Sequence, residues 1–301
     1  MDLKQLEYFV RVAEVGSVTR AATLLAITQP SLSRQIRLLE VELRQTLLVR
    51  DGRGVHTTDA GAALVKHARA MLLQADRARW DVRELGSAPM GRIVLGIPAS
   101  VGRFLSPTLV TAFQERFPKA SLSILEGQTY IKEWLSLGRI DVGLLLNAAP
   151  ETGIETINLL SEPLYLVGAC QVPEASLRIG DPIAMHDLVK FRLLLPCRPH
   201  AFRTYLEAQL AVSGVQLNVS WELDAFSTLL DLVRKGFGYG IMPASVFRGD
   251  ELQGHYELRR IVEPGLTSSV AIATHSGRPM SSLMTGLIEL IQDVAADPEN
   301  R

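Results

Sequence analysis

Four polar side chains recur at helical spacing between residues 29 and 37, and their types suit hydrogen bonding to nucleic acid. Gln29 and Ser33 are short hydrogen-bonding groups, while Arg34 and Arg37 place guanidinium groups beside them. Ser and Gln can bind base edges in a DNA major groove, and Arg can bind guanine or a phosphate. The pattern therefore favours a helix that reads DNA. The alternative is an ordinary amphipathic helix with a solvated arginine face, which occurs in many folds.

The opposite face of the same stretch is apolar and must pack against a core. Thr28 is a suitable N-cap, and Pro30 is tolerated in the first turn of the helix that follows. Upstream, Ser17 can cap a shorter helix that ends before Thr28. Residues 17–43 thus predict two short helices joined by a tight turn. The apolar positions of the second helix are Leu32, Ile36, Leu39 and Leu43.

The flanking residues complete a winged helix-turn-helix. Residues 1–16 supply a further amphipathic helix, and residues 47–61 read as strand, glycine-rich turn, strand and then a long helix capped by Thr58. In the hairpin, Arg50 and Arg53 flank glycines that permit close approach to DNA, where arginine can enter a minor groove or bind phosphate. A solvated hairpin tip is the alternative for these two arginines.

Several motifs stand in the order typical of one family. They are Ala21-Ala22-Thr23-Leu24-Leu25, Thr28-Gln29-Pro30-Ser31-Leu32-Ser33-Arg34-Gln35-Ile36, Leu39-Glu40, Arg50-Asp51-Gly52-Arg53 and Thr58-Asp59-Ala60-Gly61. The chain resembles the LysR-type transcriptional regulators, except that Arg44 replaces a usual Gly and Leu48 a usual Phe. We expect DNA contacts from Thr28, Gln29, Pro30, Ser31, Ser33, Arg34, Arg37, Arg50 and Arg53.

The long helix predicted from Thr58 to Leu85 carries a second apolar stripe. It contains no Pro, its one Gly is Gly61 in the first turn, and small or apolar residues follow a 3-4 spacing typical of a coiled coil. The alternative is a helix packed on its own domain. We expect a dimerisation helix, as the resemblance implies. The predicted contact residues are Leu64, Ala68, Met71, Ala75, Ala78 and Val82.

After a predicted hinge at 86–91, strands alternate with helices, which indicates an α/β region with a mostly parallel sheet. The predicted strands are Arg92–Ile97, Ser121–Leu125, Asp141–Leu146, Leu164–Ala169, Leu193–Leu195, Asn218–Leu223, Tyr239–Met242 and Ser269–Thr274. The predicted helices are Phe104–Phe117, Thr129–Leu137, Ala201–Val212, Phe226–Lys235 and Ser282–Ala296.

The run from Leu232 to Pro243 also matches the family, whose effector domain is two-lobed and similar to the periplasmic solute-binding proteins. The resemblance therefore implies a multidomain α/β protein. Its expected parts are a winged helix-turn-helix at 1–58, a linker helix at 59–86 and an effector domain at 87–301. Within the last, lobe I is 91–162 with 268–301, and lobe II is 163–267.

Turns between strands and helices are the expected ligand site, because helix amino termini lie there. From the corresponding turns of the family we expect effector contacts from Ser100, Thr129, Arg198 and His200, and Phe226 could form a wall of the same pocket. Helix capping and core packing are the alternatives, and Arg203 could pair with Glu207 on its own helix. The guanidinium favours a ligand with a carboxylate, but nearby Glu126 limits this to one carboxylate or a polar neutral compound.

Composition is that of a globular protein. The 301 residues are 47% hydrophobic and 21% charged, with a net charge of −1. Residues 1–86 hold 13 Lys and Arg against 10 Asp and Glu, a balance of +3, which leaves −4 for the remainder. So weak a basic bias requires a few well-placed cations and two copies of the DNA-binding domain. The first residues lack a signal-peptide pattern, and no apolar run spans a membrane, so we expect a cytoplasmic protein.

The sequence contains no recognisable catalytic or metal-binding motif. It has no Walker loop and no Gly-x-Ser-x-Gly elbow, and the six His are scattered. We expect no enzyme activity, no metal and no cofactor. The expected partners are an inverted-repeat operator in double-stranded DNA, a small organic effector, further copies of the chain and RNA polymerase. A DNA-tethered α/β enzyme, or a regulator that responds to oxidation of Cys170 or Cys197, are the alternatives.

Overall fold

The computed structural model describes residues 1–51, 54–83, 89–127, 129–170, 177–248 and 253–296. Arg53 of the predicted wing and residues 84–88, where the predicted hinge begins, lie outside these ranges. The chain divides into two compact units. We call residues 1–91 with 136–139 the amino-terminal unit, and residues 92–135 with 140–301 the carboxyl-terminal unit.

The amino-terminal unit contains three short helices, a hairpin and a long helix. These are α1 Leu3–Val15, α2 Val18–Leu24, α3 Gln29–Leu43, β1 Leu48–Asp51, β2 Gly54–Thr57 and α4 Asp59–Arg83. The predicted caps are confirmed, because the Ser17 side chain accepts from the Arg20 N–H and that of Thr28 from the Ser31 N–H. Leu32, Ile36 and Leu39 of α3 are buried, as their spacing predicts.

Arg44 ends α3 in the left-handed conformation, with φ 53° and ψ 35°. The N–H of Gln45 donates to the carbonyl of Glu40 and that of Arg44 to the carbonyl of Val41, at 3.1 and 3.2 Å. This is a Schellman ending, in which glycine is the usual left-handed residue. The helix therefore ends as the family pattern implies, although Arg replaces Gly.

The carboxylate of Glu40 fixes the chain where it leaves α3 for the hairpin. Its Oε1 accepts hydrogen bonds from the N–H groups of Leu47 and Leu48, at 2.8 and 3.2 Å. Leu47 is buried against α1 together with Leu39, the residue before Glu40. In the Leu39-Glu40 pair, Leu39 therefore packs in the core, while Glu40 accepts hydrogen bonds from two backbone N–H groups.

The start of α4 is held against the same segment. The Thr58 hydroxyl accepts from the Gly61 N–H at 3.0 Å and lies 2.7 Å from the carbonyl of Thr46. A Cβ atom at Gly61 would lie only 2.1 Å from the carbonyl oxygen of Leu47. The backbones approach so closely that this position must be glycine.

The carboxyl-terminal unit contains eleven strands and five α-helices among its described residues. The strands are β3 Gly91–Ile97, β4 Ala120–Glu126, β5 Val142–Leu146, β6 Ile154–Ala169, β7 Arg178–Ile179, β8 Ile183–Ala184, β9 Leu193–Leu195, β10 Val219–Glu222, β11 Gly240–Pro243, β12 Tyr256–Val262 and β13 Thr267–His275. The helices are α5 Ala99–Arg116, α6 Ile131–Ser136, α7 Ala201–Val212, α8 Phe226–Arg234 and α9 Ser282–Ala296.

The main sheet is mixed, so the prediction of a mostly parallel sheet is wrong. Its order is β4-β3-β5-β13-β6-β12-β7, and β3 and β5 are parallel. The strand β13 is antiparallel to both β5 and β6, and β12 and β11 are antiparallel to β6. The alternation of strands and helices predicted the parallel crossovers but not the long return strands.

Strand β6 divides the carboxyl-terminal unit into two lobes. Its residues 154–163 pair with β13, whereas residues 164–169 pair with β11 and with β12. We call the part around β3, β5 and β13 lobe I, and the part around β9, β11 and β12 lobe II. Separate apolar clusters fill the two lobes. The change of partner at Pro163 lies beside the crossing expected near residue 162.

The sequence pattern missed three strands and part of a fourth. These are the two-residue strands β7 and β8, the strand β12, and the first half of β6, where residues 155–158 are exposed. In lobe I this part of β6 pairs only with β13 among the described strands, so its residues lie at a sheet edge and carry polar side chains. Apolar alternation is a weak signal for such a strand.

Replacing Gly61 with Ala should destabilise the amino-terminal unit, although Ala is favoured over Gly in a helix by about 1 kcal/mol. The added methyl group would clash with the Leu47 carbonyl, and overpacking of this kind costs about 1–3 kcal/mol or more. Urea unfolding followed by circular dichroism measures the loss. The exposed control Ala63→Ser should change stability by no more than about 0.5 kcal/mol. A Gly61→Ala protein as stable as the parent would show that the loop can move aside.

Candidate nucleic-acid interface and ligand cavity

The outer face of α3 is exposed and polar. Thr28, Gln29, Pro30, Ser31, Arg34 and Arg37 are exposed, and Ser33 is half-buried. The Gln29 amide donates to the Ser33 hydroxyl at 3.4 Å. Because the buried face holds Leu32, Ile36 and Leu39, these polar groups are free to meet another molecule.

The hairpin places one of its arginines beside this face. Nη2 of Arg50, on β1, lies 3.5 Å from the hydroxyl of Ser33, on α3. The guanidinium and the helix therefore form one continuous polar surface, which we call the α3–Arg50 face. Arg53, the other predicted wing residue, lies outside the described residues.

The predicted dimerisation stripe of α4 is packed within its own unit at the start of the helix and accessible further along it. Leu64 and Ala68 pack on the cluster of Leu6 and Phe9 in α1, and Ala68 is 0% exposed. Ala68 therefore has no surface left for a partner, and this part of the stripe packs within the unit. Further along the same stripe Met71 is 44% exposed, and Ala75 and Ala78 are accessible. The side chain of Val82 lies outside the described part of the structure.

A cavity of about 50 Å³ lies between the two lobes of the carboxyl-terminal unit. Ser100 and Phe104 of α5 contribute to its wall from lobe I, while His200 and Phe226 contribute from the amino-terminal ends of α7 and α8. The rest of the wall is largely apolar. Three of the five predicted effector residues, Ser100, His200 and Phe226, are thus brought together.

The other two predicted effector residues do not line this cavity. Thr129 is exposed and donates from its hydroxyl to the carbonyl of Pro199 at 3.0 Å, which joins the two lobes. Arg198 has a side chain that is 68% exposed, and it pairs with Glu207 at 2.7 Å. The guanidinium that suggested a carboxylate ligand is therefore directed to a protein carboxylate.

Arg203 holds the turn that precedes α7. Its side chain is 4% exposed and lies 2.5 Å from Glu207 and 3.4 Å from Glu222. The expected pairing of Arg203 with Glu207 is confirmed, and Glu207 binds both arginines. The Arg203 Nη1 also donates to the carbonyl of Pro196 at 3.4 Å. A buried cation with these partners fixes the turn that carries His200.

His200 caps α7 and is buried. Its Nδ1 accepts from the Phe202 N–H at 3.1 Å, which requires that Nδ1 carry no proton. Burial lowers the pKa of His200 below its ordinary value, and the charge of Asp224 opposes this only in part. The imidazole on the cavity wall is therefore neutral near pH 7.

A second polar group, which no sequence motif marks, lies at the cavity and consists of Glu162 and Ser245 with Arg248 beside them. Ser245 donates to the Glu162 carboxylate at 2.5 Å, and Arg248 lies 3.2 Å from it and 5.4 Å from the ring of Phe104. Glu162 and Ser245 line the cavity. They lie on a missed strand and a short 3₁₀ turn far apart in sequence, so no local motif joins them.

The two cysteines are differently placed. Cys170 is buried and Cys197 is half-buried. Partial burial, together with a hydrogen bond to Asp224, raises the pKa of the Cys197 thiol. Since the thiolate is the reactive species, this environment disfavours oxidation of Cys197.

Within the described ranges, no three or more His, Cys, Asp or Glu side chains are grouped so that they could hold a metal ion. None of the described helices is both long and apolar enough to span a membrane.

The buried His200 should make the stability of the carboxyl-terminal unit pH-dependent. The unfolded chain, with a His pKa of 6.5, binds a proton more readily than the folded chain. Stability is therefore fully present above pH 6.5 and is lost as the pH falls through the depressed pKa of folded His200. His200→Asn keeps a capping side chain and should reduce the loss of Tm between about pH 7.5 and about pH 5.5. The exposed control His186→Asn should retain it, and an equal loss in all three proteins would contradict the assignment.

Two family models match the chain. Residues 3–62 match the bacterial regulatory helix-turn-helix protein of the lysR family, and residues 86–296 match the LysR substrate binding domain. The second match alone covers more than half of the 301 residues. The two matches correspond to the helices and hairpin of the amino-terminal unit and to the two-lobed fold.

Similar proteins agree with these matches. The nitrogen assimilation regulatory protein nac of Escherichia coli is 29% identical over 99% of this chain and 96% of its own length. The crystal structure of CbnR, a LysR family transcriptional regulator, is 25% identical with a TM-score of 0.73 and covers 99% of this chain and 100% of that one. Full-length CbnR complexed with its target DNA gives 26% identity and a TM-score of 0.71, with coverage of 98% and 100%. The chain belongs to the LysR family and is a DNA-binding transcriptional regulator with an effector-binding domain.

Proposed function

We propose that this regulator reads its operator through the α3–Arg50 face. The observation that carries the proposal is the 3.5 Å contact between Arg50 and Ser33, because it places a wing cation beside the exposed polar face of the helix. Gln29, Ser33 and Arg34 would bind base edges, while Arg37 and Arg50 would hold phosphates or a groove edge. At the start of α3, Thr28, Pro30 and Ser31 would approach the DNA backbone. Arg53 of the wing would bind a minor groove or a phosphate.

The regulator is proposed to bind an inverted-repeat operator as a dimer, or as a tetramer built from dimers. The balance of +3 in residues 1–86 gives one copy few cations for phosphate contacts. Two copies double that number and fix the spacing of the half-sites. The accessible part of the α4 stripe, at Met71, Ala75 and Ala78, is the proposed contact between copies.

The cavity between the lobes is the proposed effector site, with Ser100, His200 and Phe226 on its wall. Occupation of the cavity would change the relative position of the lobes and so the arrangement of paired DNA-binding domains. The proposed division remains 1–58, 59–86 and 87–301, with the second lobe at 163–267. The regulator is proposed to act in the cytoplasm on RNA polymerase, without catalysing a reaction.

Changing Ser33 or Arg34 to Ala should weaken specific operator binding. Each loses a proposed base contact, worth about 1–3 kcal/mol of discrimination. The buried face of α3 is untouched, so the circular dichroism spectrum should not change. Fluorescence anisotropy with a matched operator at fixed salt measures the effect.

Arg116→Ala is the matched control for the loss of one positive charge. Arg116 lies on α5 and pairs with Glu289 in the carboxyl-terminal unit. Its loss should leave operator affinity unchanged. If Ser33→Ala and Arg34→Ala both bind as tightly as the parent, α3 does not read DNA.

Replacing Met71 with Lys should separate the proposed dimer. The change places like charges opposite each other between paired helices and removes apolar surface. Dissociation at low micromolar concentration is expected in sedimentation velocity, together with a collapse of operator affinity, because each monomer then holds a single half-site.

Leu73→Lys is the control for the same helix. Leu73 lies two residues further along α4 and therefore about 200° around the helix from Met71. This variant also exchanges an apolar side chain for a cation, but on the opposite face, and the dimer should persist. An intact dimer in Met71→Lys would place the contact elsewhere.

A further inference from the structure

The charged side chains on the described wall of the interlobe cavity are all acidic. Glu162 and Asp224 contribute carboxylates, and no Lys or Arg of the described residues lines the cavity. His200, which also lines it, is held neutral by burial, which lowers its pKa. The two arginines near the α7 turn, Arg198 and Arg203, are both paired with Glu207. A carboxylate ligand would therefore face the carboxylates of Glu162 and Asp224, with no cation on the described wall.

Helix amino termini could still attract an anion, but each of the three near this cavity already has an acceptor or a negative charge. In α7 the Phe202 N–H is bound to His200 Nδ1. Asp224 lies two residues before α8 in the sequence, and a carboxylate of Glu126 lies beside Gly102 in the first turn of α5. These groups offset the partial positive charge that a free helix terminus would present.

Glu162 is held in place by protein donors and still has acceptor capacity. Its side chain is 17% exposed, with one oxygen bound to Ser245 and the other to Arg248. Each carboxylate oxygen can accept about two hydrogen bonds. One acceptor position on each oxygen therefore remains, and Glu162 forms part of the cavity wall.

Arg248 is not positioned to serve an anion in the cavity. It lines a neighbouring surface groove with Tyr165 and Ala244, and its guanidinium lies 5.4 Å from the centre of the Phe104 ring. Moving it into the cavity would break the ring contact and leave Glu162 without a counter-ion. An anionic ligand that paired with Arg248 would then lie beside the unpaired carboxylate of Glu162.

The described cavity wall thus presents carboxylates and no cation. Arg248 pairs with Glu162 at 3.2 Å from outside the wall, and Asp224 adds a second carboxylate at the exposed edge of the cavity. We propose that the cavity binds a small monocation, a compact apolar group carrying one protonated amine, with Glu162 as the hydrogen-bond acceptor. The proposal rests on the proposed role of this cavity as the effector site. It differs from the expectation of a carboxylate, which depended on Arg198.

The test compares probes of one shape and three charges on the full chain. Isobutylamine, isobutanol and isobutyrate form one series, and benzylamine, benzyl alcohol and benzoate form another. Ligand-observed NMR titrations should show the amine of at least one series binding at least about tenfold more tightly than its carboxylate. A carboxylate or an alcohol that binds as tightly as the amine would overturn the proposal, and so would the absence of binding by all six probes at millimolar concentration.

Two variants of β6 connect the preference to Glu162. Glu162→Gln keeps a side chain that can hydrogen-bond with Ser245 but removes the charge, so the affinity ratio of amine to carboxylate should fall at least about tenfold. Glu155→Gln makes the same change at an exposed position of the same strand and should keep the parent ratio. An unchanged ratio in Glu162→Gln would overturn the proposal.

A third variant tests whether the ligand binds in this cavity, independently of which class of ligand it is. Ser100→Phe adds a large side chain from the half-buried first turn of α5 and should fill the cavity without displacing core residues. Loss of amine binding in this variant supports the proposal. Persistent binding would show that the cavity is not the ligand site, and the proposed function fails with it. If the parent prefers carboxylates and Ser100→Phe abolishes that binding, the cavity is the ligand site but the proposal of a monocationic ligand is wrong.

Discussion

The carboxyl-terminal unit depends on the hydrogen bonding of one strand. The sixteen residues of β6 pair with β13 over their first part and with β11 and β12 over their second part. The two lobes therefore share a backbone, and a change in their relative position must be absorbed near Pro163 and near Leu266, where the return strand begins. Glu162 lies at this junction and faces the cavity. The group proposed to sense a ligand is consequently part of the connection that such a ligand would have to move.

The amino-terminal unit could be predicted largely from sequence because its signals are local. Capping side chains at Ser17 and Thr28 and the apolar spacing of α3 determine where helices begin and which face is buried. The ending of α3 was less predictable. Arg44 takes the conformation normally given to glycine, since the paired hydrogen bonds to Glu40 and Val41 fix the turn. Here the surrounding packing prevails over the residue's own preference.

The cavity could be predicted only in part, because its polar groups come from distant segments. The turns that carry Ser100 and His200 were identifiable as strand-to-helix connections. Whether a side chain on such a turn faces the cavity depends on its partners, and Glu207 holds Arg198 outside. Glu162 could not be predicted as a cavity residue, since its half of β6 shows the polar pattern of a sheet edge. A contact between residues far apart in the sequence, such as Glu162 and Ser245, produces no periodic pattern by which it could be predicted.

Helix α4 belongs to the packing of the DNA-binding domain well beyond residue 58. Gly61 touches the loop at Leu47, and Ala68 and Leu72 complete the cluster around Phe9. A hybrid regulator that joins this domain to a relative's effector domain at residue 58 would leave that cluster open to water. The junction must fall after Leu72, and an insertion of one residue there would rotate the rest of α4 by about 100°. Exchange of domains between such regulators is thereby restricted to junctions that preserve both the length and the helical phase of α4.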